Sequence, residues 1–147
     1  MDRGVAVLLT AVTGGFIALQ APINSVLGRS VGNLQAAAVS FTVGTLVLIL
    51  IAGLAGGGFG ALGEVRGLPL YYLTGGILGA AYVTCALVMV RSLGAGGVVA
   101  ATIAGQLTMS VVVDHLGLLG VTRHPITAAR FLGIAFLCAG TYLVVRE

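Results

Sequence analysis

Lysine and tryptophan are absent from this chain of 147 residues, cysteine and proline number two and three, and only 7% of the residues are charged. A soluble domain carries about 25% charged residues, so the few present here cannot cover a water-facing surface. The four acids, Asp2, Glu64, Asp114 and Glu147, stand far apart, and there is no HExxH and no carboxylate cluster for metal-dependent chemistry. No Ser/His/Asp arrangement falls at a convincing depth either, so the composition argues against an enzyme and implies no metal and no cofactor. Cys85 and Cys138 sit singly inside apolar stretches without a CxxC, and read as small apolar side chains packed within helices. The seven arginines stand singly at segment ends instead of forming a basic patch, which gives no footing for nucleic acid.

What is present in quantity is apolar: 59% hydrophobic residues, 24 glycines and a mean hydropathy of +1.15. Disorder is excluded by that hydrophobicity, and collagen by the irregular glycine spacing. A polytopic, all-α integral membrane protein remains. A spanning helix uses about 20 apolar residues, and five such segments fit with short loops, at about 4–27, 34–54, 69–91, 95–116 and 127–145, as a single five-helix membrane domain over 1–147. Met1-Asp2-Arg3 before an apolar run resembles a signal peptide, but no A-x-A site follows, so the run reads as an uncleaved first helix. Asn33 is placed to cap the second segment, which stops at Gly56-Gly57-Gly58; 56–68 is a polar-tolerant loop. Pro69 suits a helical first turn, Ser92-Leu93-Gly94 forms a tight turn between the third and fourth segments, and the fifth begins after Pro125, near Thr127.

Five spans put the termini on opposite sides. Arg3, Arg66, Arg123 and Arg130 then share one face and Arg29, Arg91 and Arg146 the other. Orientation follows an excess of Lys/Arg in cytoplasmic loops, and four against three is nearly no excess. This predicts insertion in both orientations, and an antiparallel dimer of about ten helices whose two chains reproduce an inverted repeat. Topology set by hydrophobicity or insertion order is the competing reading.

Polar side chains within a span face a partner helix or a cavity, because an unpaired polar group in hydrocarbon is costly. Gln20 and Asn24 share a helix face with Phe16 and Thr13, and Pro22 leaves the carbonyl of Ala18 without its helical donor. Both polar residues line a substrate site or serve as interhelical glue worth about 0.6 kcal/mol per bond. Thr102, Gln106, Ser110 and Asp114 follow at spacings of four and form a slowly drifting line along one face. Gln106, at mid-span, is the foremost candidate for contacting substrate, with Ser110 beside it. Asp114 is the only acid within a span, and three readings compete: a structural partner for an arginine such as Arg91 or Arg123, an ion-coupling group, or a solvated interface residue. His115 reads as an interface side chain. Tyr82, near the middle of its segment, lines the cavity or bonds a neighbouring backbone, whereas Tyr71, Tyr72 and Tyr142 suit an aromatic belt. Gly75-x-x-x-Gly79 and Ser40-x-x-x-Gly44 predict close helix approach.

The pattern Gly14-Gly15, Gln20-x-x-x-Asn24-x-x-Leu27-Gly28, Ser40-Phe41-x-x-Gly44-Thr45 and Gly75-Gly76-x-x-Gly79-Ala80-x-Tyr82-Val83 resembles the DUF606 (YdcZ-like) family of the drug/metabolite transporter superfamily. Ala104-Gly105-Gln106-Leu107, Asp114-His115-x-Gly117-Leu118-x-Gly120, Leu132-Gly133 and Ala139-Gly140 extend the resemblance over essentially the whole chain. It implies five-span chains that pair, as homodimers or with a homologous chain, into a transporter of two inverted halves. The expectation is a multi-pass half-transporter in a prokaryotic plasma membrane, surrounded by lipid and moving a small neutral, zwitterionic or amphipathic solute by alternating access. Small multidrug-resistance relatives place a carboxylate in the first helix, where this chain offers Gln20 instead, which puts their proton-coupled export of cations in doubt here. The competing reading is a non-transporting scaffold or accessory subunit, in which helix contacts consume every polar residue.

Overall fold

The computed structural model describes residues 2–55 and 58–146, so the proposed Gly56-Gly57 stop, together with Met1 and Glu147, lies outside the described residues. Among the described residues every regular element is helical: α1 (Arg3–Val31), α2 (Asn33–Ala55), α3 (Thr74–Leu116) and α4 (Ala128–Val145), with short 3-10 turns at Gly60–Gly67, Leu70–Leu73 and Leu118–Gly120. Four of these stretches are long and apolar enough to cross a membrane: Arg3–Val31, Asn33–Ala55, Leu70–Leu116 and Ala128–Val145.

The sequence predicts five helices, and the third and fourth both fall within α3. α3 comprises, over its 43 residues, two helices that meet at a kink, each about long enough to cross a bilayer core. It is interrupted at Gly94 (φ 68°, ψ 168°), in the predicted Ser92-Leu93-Gly94 turn. Only glycine enters that backbone region without severe strain, so the break is written at one residue. Pro69 precedes a 3-10 turn instead of opening the helix itself, and α3 starts at Thr74, whose hydroxyl donates to the Tyr71 carbonyl at 2.7 Å.

A single residue links α1 to α2. Gly32, at φ 92°, donates to the Gly28 carbonyl and accepts from Ala36, closing one helix and opening the next. Asn33, expected to cap α2, is instead its first residue, because Gly32 already occupies the capping position; its side chain turns to Arg91. The last helix begins next to Thr127, as expected, and Thr127 caps it: its Oγ1 accepts from Arg130 N at 3.3 Å.

The chain forms two compact units. One comprises Leu19–Arg91, the other the chain up to Ala18 together with Ser92 onward. The first boundary falls in the α1 turn whose closing hydrogen bond Pro22 cannot make, and the second lies three residues before Gly94.

In the unit Leu19–Arg91, α2 runs antiparallel to the first part of α3. Phe41 packs on Gly79, Ala37 lies with Val83 and Leu87, and Asn33 reaches Arg91. A Cβ at Gly79 would stand 3.4 Å from the Phe41 ring, so the small residue makes room for the aromatic one. The other members of the predicted small-residue motifs, Gly75 and Gly44, meet nothing within 4 Å. Leu87 is fully buried at the centre of this cluster.

In the other unit, α4 packs antiparallel to the second part of α3. Thr141 Oγ1 donates to the Ala100 carbonyl at 3.1 Å, Val145 reaches Gly97, and Arg130 pairs with Asp114 at the opposite end. Both cysteines, expected to be packed within helices, are exposed: the buried positions near Cys85 are Val83, Ala86 and Leu87, and the helix of Cys138 has no buried residue among those described.

Candidate functional site

The drifting line of polar residues on α3 produces a pocket. Steps of four residues carry Gln106, Ser110 and Asp114 round only about 40° each, so the three stay on one face over two turns of helix. They line an open groove of about 470 Å³ together with Met109, Val113 and Val121. Gln106 and Ser110 are exposed, and Asp114 is half-buried. Thr102, which begins the line, is half-buried and does not reach the groove. The lining thus alternates amide, hydroxyl and carboxylate with three apolar side chains, a composition suited to orienting a small amphipathic molecule.

At the polar end of the pocket Asp114 pairs with Arg130, whose Nη1 donates to Asp114 Oδ2 at 3.2 Å. Of the three readings open for this acid, the structure places it against an arginine, but that arginine is neither Arg91 nor Arg123. Arg123 donates Nε to the His115 carbonyl at 2.9 Å, and Arg91 lies on Ser25 and Asn33. Arg130 occupies the first turn of α4, where the positive end of the helix dipole disfavours a cation, and the Asp114 carboxylate offsets this. With side-chain exposures of 39% for Arg130 and 30% for Asp114, the pair contributes about 1 kcal/mol at most.

The segment after α3 folds back over the end of that helix. Gly117 adopts the left-handed conformation that terminates helices, and Leu119 follows it into positive φ at 57°. His124 N then donates to the Asp114 carbonyl at 2.8 Å, and Ile126 N to His115 Nδ1 at 3.3 Å. The His124 and Arg123 bonds satisfy two of the carbonyls that a helix C-terminus leaves unpaired, and the Ile126 bond ties the returning backbone to the His115 ring. They also fix Val121 against the groove. His115, read as an interface side chain, is therefore a clamp for the returning backbone.

The remaining predicted site residues lie in the unit Leu19–Arg91. Gln20 is exposed on α1, and no hydrogen bond from its side chain forms among the described residues. Asn24 is 4% exposed, yet its Nδ2 has no partner among the described residues, so the interhelical bond expected of it is not made by that donor. Tyr82 is half-buried and packs against the Ala37, Val83 and Leu87 cluster.

Neither Arg130 nor Val121 was accessible to sequence reasoning. Both reach the site through the path of residues 117–127, where no periodicity operates, and only the lone in-span acid signalled that some arginine must come near. Among the described residues no group of three His, Cys, Asp or Glu gathers to hold a metal ion.

Four stretches of spanning length, with an apolar exterior and polar residues confined to short lines, define a multi-pass integral membrane protein. Residues 5–143 match the model of the family described as "Putative inner membrane exporter, YdcZ", within the drug/metabolite transporter group, and the chain belongs to that family. No curated protein and no solved structure matches it.

Proposed function

We propose that the chain is one half of a membrane transporter that moves a small neutral, zwitterionic or amphipathic solute by alternating access, paired with an oppositely oriented second copy in a prokaryotic plasma membrane. The observation that carries this reading is the groove at Gln106, Ser110 and Asp114 on an otherwise apolar helix. Its fixed charge is balanced within the unit by Arg130, which disfavours a strongly charged solute. The exporter description of the family supports transport as the activity.

Pairing follows from the cost of the exposed polar groups. Gln106, Ser110 and Gln20 are exposed on helices whose surroundings would be lipid, where an unpaired amide or hydroxyl is unfavourable. A second copy covers such groups while leaving them facing a shared cavity. The two parts of α3 on either side of Gly94, each about 20 residues, count as separate spans, so the chain crosses five times and its termini lie on opposite sides. The arginine balance then favours self-pairing over a homologous partner.

Cells overproducing the chain should release at least one neutral or zwitterionic solute into the medium several-fold faster than cells carrying an empty control, read by comparing metabolite profiles of the medium. Identical profiles across nutrient conditions would favour a non-transporting scaffold.

A further inference from the structure

Arg91 is held in a way that transport through the Gln106 groove does not use. Its Nε donates to Ser25 Oγ at 3.3 Å, and its Nη2 donates to the Ser25 carbonyl at 3.4 Å and to Asn33 Oδ1 at 2.8 Å. All three acceptors are neutral, and no carboxylate lies within 4 Å of this guanidinium among the described residues. Ser25 is 4% exposed, so the cation rests against a buried, uncharged wall. The seat is closely shaped: a Cβ at Gly28 would stand 2.9 Å from Asn33 Oδ1 and 3.3 Å from Arg91 Nη2. One helical turn from Gly28, on the same buried face of α1, Asn24 Nδ2 is a buried donor without a partner among the described residues.

The cluster is therefore rich in donors and poor in negative charge. Arg91 Nη1 makes no hydrogen bond to the described residues, Asn33 commits its oxygen to Arg91 and keeps its amide hydrogens, and the Ser25 hydroxyl, accepting from Nε, retains its own hydrogen. A planar guanidinium flanked by amide and hydroxyl donors matches a tetrahedral oxyanion, with the two hydrogens of Nη1 left to donate, since those of Nε and Nη2 are committed to Ser25 and Asn33. Its place is the one-residue link between α1 and α2, at the ends of two spanning-length helices, where phosphate groups of a bilayer are found. We infer that Arg91, Ser25, Asn33 and Asn24 form a phosphate-binding site in the unit Leu19–Arg91, whose ligand is a lipid phosphate or a free phosphate. The site does not depend on the transport reading, since a scaffold would hold the same group.

The test uses the full chain purified in an uncharged detergent, with native mass spectrometry counting retained lipid. The probes are phosphatidylglycerol, a phosphate-free diglucosyl diacylglycerol and inorganic phosphate. The wild type should retain phosphatidylglycerol and not the glycolipid, and Arg91→Gln should lower that retention about tenfold, while Arg29→Gln, at an exposed neighbouring arginine, leaves it unchanged. Asn24→Leu removes a buried unpaired donor with little change of shape, so it should fold even where Arg91→Gln does not, and it should weaken retention several-fold. Displacement of the lipid by millimolar inorganic phosphate would assign the site to a free phosphate; retention against it would assign the site to the lipid. Equal retention of phosphatidylglycerol by wild type, Arg91→Gln and Asn24→Leu, or equal retention of the phosphate-free lipid, would overturn the inference.

Discussion

Gln106→Ala is expected to reduce solute release by the chain at least tenfold while its level in the membrane, helix content and yield of dimer stay as in the wild type. Gln106 presents both a carbonyl acceptor and two amide hydrogens to the groove, and it lies one turn from Ser110 and two from Asp114. A solute that has shed water to enter such a site depends on these partners, and leaving one of its polar groups unpaired costs about 1–3 kcal/mol, or roughly fivefold to 150-fold in occupancy for each chain. In a two-fold dimer the substitution strikes the shared cavity from both chains. The side chain is exposed within its own unit, so truncation removes no packing there. Release measured alongside dimer yield separates the alternatives: lost release with intact dimer supports a binding role, whereas loss of the dimer itself makes Gln106 a structural contact.

Leu87→Ala should have the largest effect on stability, lowering it by about 2–4 kcal/mol. Leu87 is fully buried against Ala37 and Val83, with Phe41, Tyr82 and Val88 packed around them. Within a bilayer the transfer from water counts for little between helices, so the loss comes from dispersion contacts across a cavity that small, rigid neighbours cannot close. Leu78→Ala is the matched control, since that side chain is 68% exposed and should cost less than about 0.5 kcal/mol. Reversible unfolding in mixed detergent micelles measures both. Equal losses would show that the α2–α3 cluster does not hold this unit together.

The sequence was most informative where a backbone rule acts on a single residue. Gly94 interrupts α3 in the expected turn, α4 starts beside Thr127 after Pro125, and the ends of α1 and α2 fall within a few residues of the expected boundaries. The division of 69–91 from 95–116 was legible in the Ser92-Leu93-Gly94 turn and not in hydropathy, which runs unbroken through both apolar halves. The line Gln106, Ser110 and Asp114 was legible because helical periodicity keeps spacings of four on one face. The partner of Asp114 was not, since Arg130 is brought there by residues 117–127, whose path depends on positive φ at Gly117 and Leu119 and on bonds to His115. Asn33 was misread as a cap because the chain uses Gly32 for that position, freeing the amide for Arg91. The fate of Asn24 was equally hidden: composition says that a buried amide should find a partner, but cannot say that its Nδ2 goes without one among the described residues.

The central claim is that the chain inserts in both orientations and pairs with itself around a shared cavity, and the orientation of its C-terminus in cells tests that claim most directly. Two reporters fused after Arg146, one active only inside the cell and one only outside, should both give substantial activity. Arg130 and Arg91 should be left untouched, as both hold side-chain partners. Removing Arg66 while adding one arginine beside Arg29 turns four against three into three against four, and should shift the ratio towards the other orientation. Activity from one reporter alone, unmoved by these substitutions, would contradict the antiparallel homodimer.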